Sequence, residues 1–61
     1  MFQENLISLR KLNGLSQEEL AEKVGISRQT LSKYETGEAV PDIQKCKKLA
    51  DIFQVSLDDL V

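Results

Sequence analysis

Two runs of helical periodicity, over residues 17–24 and from residue 28 onward, are separated only by Gly25-Ile26-Ser27, and this junction constrains the fold more than any other feature. Gly25 follows Val24 at the place where a helix C-terminus calls for positive φ, and Ser27 supplies a hydroxyl that opens the next helix. Such a gap admits nothing longer than a tight turn. Leu20, Val24, Ile26 and Leu31 put apolar groups on the faces that have to meet, and Ala21 sits where the two helices approach most closely. A larger side chain at residue 21 would force the second helix out of register.

The rest of the chain reads as three further helices. Phe2, Leu6 and Leu9 recur at helical spacing up to Asn13-Gly14, which predicts a helix over residues 3–12. Ser16 stands three residues before Glu19, a capping-box spacing, with Leu15 placed to staple against Leu20; the helix it opens covers residues 17–24. The next helix covers residues 28–35 and is closed by Thr36-Gly37. Beyond Val40-Pro41-Asp42, the residues Ile43, Cys46, Leu49, Ala50 and Phe53 fall on one face of a helix over residues 42–53. Ser56 caps a last short helix, with Asp58 and Asp59 in its first turn and Leu57 and Leu60 facing inward. The expectation is an all-α fold of five short helices, with residues 1–61 forming one domain, because a chain this short supports one core.

Composition excludes several classes of function. Cys46 is the only cysteine and there is no histidine, so neither a disulfide within the chain nor a thiolate or mixed zinc site is expected. No Ser/His/Asp set and no phosphate-binding glycine loop is present, and the Glu18-Glu19 and Asp58-Asp59 pairs are accounted for by helix starts. No catalysis and no cofactor are therefore assigned. A basic start followed by an apolar run is missing, and no apolar stretch approaches the roughly twenty residues that span a bilayer, so a soluble, unprocessed protein of the reducing cytoplasm is expected.

The net charge of −2 is unusual for a nucleic-acid partner, but its distribution is uneven. Between residues 10 and 33, Arg10, Lys11, Lys23, Arg28 and Lys33 outweigh Glu18, Glu19 and Glu22, for a net +2. From residue 34 onward Lys45, Lys47 and Lys48 face six carboxylates, for a net −3. The middle of the chain is thus the basic end of a polarised molecule.

The segments Ser16-Gln17-Glu18-Glu19-Leu20-Ala21, residues 25–37 (GISRQTLSKYETG) and Val55-Ser56-Leu57 resemble the phage-repressor/Cro family, also called the XRE family, and Leu6, Leu9, Arg10 and Pro41 also stand where its pattern expects them. The resemblance covers essentially the whole chain and implies a lambda-repressor-like helix-turn-helix, with residues 17–24 crossing the DNA backbone and the following helix in the major groove. It implies base reading by Arg28, Gln29, Ser32 and Lys33. The chemistry is consistent with this, since Gln pairs with an adenine edge and Arg or Lys donates to guanine O6 and N7. Gln17 resembles the family's phosphate-holding glutamine, which in some relatives also meets a glutamine at the position occupied here by Arg28. Ser27, Thr30, Thr36 and the Gly37 amide complete the implied backbone contacts, and Leu20, Ala21, Val24, Gly25, Ile26 and Leu31 form the motif scaffold.

Structural roles compete for several of these positions. Ser27 is first a helix cap, Leu31 and Tyr34 are packing residues, and Arg10 is placed to bond helix ends or to pair with Glu35. Lys45, Lys47 and Lys48 read as a solvated face and Cys46 as a small core hydrophobe. Arg28 and Gln29 have no capping or core task. The leading expectation is a sequence-specific regulator, more often a repressor, that binds double-stranded DNA as a homodimer on a palindromic operator. Two alternatives stay open: an antitoxin-like protein-interaction module, or a DNA-binding module of a larger regulator. No small-molecule ligand or membrane partner is evident.

Overall fold

In the computed structural model, which describes residues 1–61, the chain forms α1 (Phe2–Leu12), α2 (Gln17–Val24), α3 (Arg28–Thr36), α4 (Ile43–Phe53) and α5 (Leu57–Leu60). The local signals act as expected at most boundaries. The Ser16 hydroxyl accepts the Glu19 N–H at 3.0 Å while the Glu19 carboxylate accepts the Ser16 N–H at 2.9 Å, completing the capping box. Asp42 and Ser56 cap α4 and α5 by accepting the amides of Lys45 and Asp59.

Four details differ from the sequence reading. The α1 helix starts one residue earlier, at Phe2, and α3 runs one residue further, to Thr36. Asp42 lies outside α4 because its side chain is spent on the cap. Ile43 is 62% exposed and does not share the buried face of Leu49, Ala50 and Phe53; at the first turn the apolar stripe has not yet reached the neighbouring helices. Further along the same helix, Ile52 is half-buried against the core.

Leu6, Leu20, Leu31, Leu49 and Leu60 are wholly enclosed, so each of the five helices contributes one leucine to a shared centre. Burial of each contributes about 1.5–3 kcal/mol relative to exposure. Phe2, Leu9, Leu15, Ile26, Val55 and Leu57 pack around this centre. The Asn5 Nδ2 donates to the Leu60 carbonyl at 3.1 Å and fastens the end of the chain to α1. Cys46 is half-buried with its thiol near the Pro41 carbonyl, and burial, followed by the Asp42 carboxylate, raises its pKa. No helix is long and apolar enough to cross a membrane.

Candidate nucleic-acid interface

The turn between α2 and α3 sets the geometry of the site. Gly25 adopts φ 84° and ψ 31°, and its N–H and that of Ile26 both donate to the Ala21 carbonyl, at 2.9 and 3.0 Å. Ser27 then accepts the Thr30 N–H at 3.1 Å and starts α3. Across the junction Leu20, Ala21, Val24 and Leu31 are buried, with Ala21 only 2% exposed, and Ile26 is half-buried. The small Ala21 side chain lets the helices approach without displacing α3.

With Leu31, Tyr34 and Glu35 turned inward, α3 presents its remaining face outward. Arg28, Gln29, Ser32 and Lys33 from α3 and Gln17 from the first turn of α2 line one polar concavity without a single hydrophobic residue. Five of the eight side chains expected to meet DNA are thus brought together. Ser27, Thr30 and Thr36 lie outside this lining. Ser27 and Thr30 share a hydroxyl hydrogen bond of 2.8 Å, and the Thr36 hydroxyl donates to the Lys33 carbonyl at 3.3 Å. Neither Arg28 nor Lys33 has an ion-pair partner, so both cations are free to meet an anion.

Two features of the site escaped the sequence reading. Glu38 lines the concavity as its only acidic residue. It is carried there by the reversal at Gly37, φ 85°, which turns the chain back alongside α3. The amide of Gln17 bonds to Glu35 at 2.9 Å instead of reaching Arg28. Of the two structural roles open to Arg10, the pair with Glu35 is present at 2.7 Å, the only ion pair in the structure, and Arg10 also donates to the Leu15 carbonyl at 3.0 Å. One arginine therefore ties α1 to both the entrance of α2 and the end of α3.

A family model described as "Helix-turn-helix" matches residues 6–60. The chain belongs to this family, in its XRE type. The helix-turn-helix domain is 44% identical, over 61 residues, to the SPbeta prophage-derived uncharacterized HTH-type transcriptional regulator YonR of Bacillus subtilis, covering all of this chain and 56% of that protein. It is 37% identical over 57 residues to the cryptic phage CTXphi transcriptional repressor RstR of Vibrio cholerae, covering 93% of this chain and 51% of the repressor. The crystal structure of a transcriptional regulator from Listeria innocua superposes with a TM-score of 0.94 at 41% identity, covering all of this chain and 57% of that one. The chain thus spans about half the length of each of these relatives. The family is one of DNA-binding regulators and not of enzymes.

Proposed function

We propose that residues 1–61 act as one DNA-binding unit of a cytoplasmic transcriptional regulator, most simply a repressor, which docks α3 in the major groove of an operator. The observation that carries this reading is the convergence of Gln17, Arg28, Gln29, Ser32 and Lys33 on one polar surface of a family-matched fold. Gln29 reads an adenine edge through its amide, Arg28 and Lys33 donate to guanine or phosphate, and Ser32 meets a base where the helix sits deep. Gln17, Ser27, Thr30 and Thr36 serve the phosphate backbone around this face, helped by the free amides at the N-terminus of α2. The chain's net charge of −2 makes non-specific affinity low, so useful affinity comes from base contacts and from pairing of two copies on a palindrome.

Selection of bound sequences from random DNA tests the reading. A palindromic motif with half-sites about one helical turn apart is the expected result. Gln29→Ala then weakens binding to that motif by about 1–3 kcal/mol and leaves random-DNA binding nearly intact, since it removes a base contact and no charge. An equal loss on random DNA would refute the assignment of Gln29 to base reading, and enrichment of no sequence would refute the function.

A further inference from the structure

Gln17 stands at the rim of the concavity, yet its amide nitrogen is turned inward. Its Nε2 donates to Glu35 Oε1 at 2.9 Å. The Glu35 side chain is only 6% exposed, and its other oxygen accepts Arg10 Nε at 2.7 Å, while Arg10 Nη2 reaches Oε1 at 3.4 Å. Arg10 is itself fixed by the Leu15 carbonyl at 3.0 Å.

An ionised carboxylate only accepts hydrogen bonds, so the atom of Gln17 that faces it has to be the nitrogen. A surface glutamine without such a partner presents either end of its amide and loses rotamer freedom when a ligand selects one. Anchored on Glu35, Gln17 loses that choice before any ligand arrives. The nitrogen is committed to the interior side with one proton, and its second proton remains for an acceptor at the rim. A phosphate oxygen is such an acceptor. The carboxylate stays in place because Arg10 satisfies its other side.

We propose that the Arg10–Glu35 pair, besides joining α1 to α3, is a positioning device for the DNA face. It sets the donor polarity of Gln17 and aligns the second N–H with a backbone phosphate. The phosphate half of this inference rests on the DNA-binding reading above; the orientation of Gln17 does not.

The test replaces the pair by apolar residues of similar volume, Arg10→Met with Glu35→Leu, since exchanging a buried ion pair for packed side chains is commonly tolerated whereas removing one partner is not. Glu35→Asp is the second variant: it keeps a charge for Arg10 but withdraws the carboxylate from Gln17. In the free parent protein the two Gln17 Nε2 protons are expected to give well-separated NMR signals with one displaced by the carboxylate. In both variants they move to the values of an exposed glutamine.

Affinity for the selected operator is then measured for the parent, for Gln17→Ala, for each variant and for each variant combined with Gln17→Ala. Loss of the anchor is expected to weaken binding about fivefold when Gln17 is present and not at all when residue 17 is alanine, the non-additivity that coupled residues show. An equal loss in both backgrounds would mean that the pair acts on the fold alone and overturns the phosphate alignment. Gln17 amide signals that do not respond to either variant overturn the orientation itself. If the parent selects no DNA, the functional reading fails, and with it the phosphate alignment, while the amide signals still decide the orientation.

Discussion

Replacing Gly25 by alanine probes the junction on which the whole site depends. Gly25 lies in the left-handed region at φ 84°, and a Cβ built there meets nothing nearer than Lys48 Nζ at 3.9 Å, an ordinary contact. The cost of Gly25→Ala is therefore a backbone cost. An L-residue in the left-handed region costs roughly 1–2 kcal/mol. The smaller freedom of alanine in the unfolded chain offsets about 0.4–1 kcal/mol of that. A net destabilisation of about 1 kcal/mol is expected, which lowers Tm by about 4–8 °C in a domain of this size.

Gly37 supplies the control. Its φ of 85° is nearly the same, but its Cβ would stand 3.0 Å from Gln3 Nε2, so Gly37→Ala carries the same backbone cost and also has to displace a side-chain tip. Thermal unfolding followed by far-UV circular dichroism ranks the variants, with Gly37→Ala expected at or below Gly25→Ala. Gly25→Asn is expected between Gly25→Ala and the parent, because Asn tolerates this region better. A Gly25→Ala protein that melts at or above the parent temperature would refute the left-handed turn. One that melts below Gly37→Ala would refute the open space around residue 25.

Ala21→Leu overpacks the contact of α2 with α3 and should cost roughly 1–3 kcal/mol in urea unfolding; parental stability would mean that the helices are not packed around residue 21. Lys33→Gln should reduce the slope of log K against log salt by about one unit if Lys33 holds a phosphate, and an unchanged slope assigns it to a base or to solvent. Glu38→Gln removes the one carboxylate from the concavity and should raise affinity for random DNA; unchanged affinity would show that Glu38 faces away from the phosphates. The Glu19 carboxyl is held below its ordinary pKa first by the Ser16 backbone N–H, then by the Ser16 hydroxyl and by Lys23. A depressed folded-state pKa contributes stability that is present above the ordinary carboxylate range and is lost as pH falls through the folded value. The stability advantage of the parent over Glu19→Gln should accordingly shrink between neutral pH and about pH 3, and a constant difference would argue against an ionised capping box.

The features legible in the sequence share one physical property: they are settled within a few residues along the chain. The Ser16 and Glu19 box, the Ser27 cap and the Gly25 turn each satisfy backbone groups three or four positions away, so residue type and spacing suffice. The buried stripes of α2 and α3 follow from helical periodicity for the same reason. The Arg10–Glu35 pair, 25 residues apart, is the exception: the sequence offers it only as one of two roles for Arg10, and the packing of α1 against α3 brings the two charges together. Tertiary structure decided what periodicity leaves open. Periodicity names a face but not where the neighbouring helix stops, which is why Ile43 is exposed and Ile52 is half-buried. It cannot bring Glu38 into the concavity, since that depends on the direction in which the chain leaves Gly37. Nor can it turn the Gln17 amide toward Glu35, a contact across 18 residues that exists only once α2 and α3 are packed. The helix-turn-helix was thus written locally, while the orientation of its reading face came from side chains that meet only in the folded molecule.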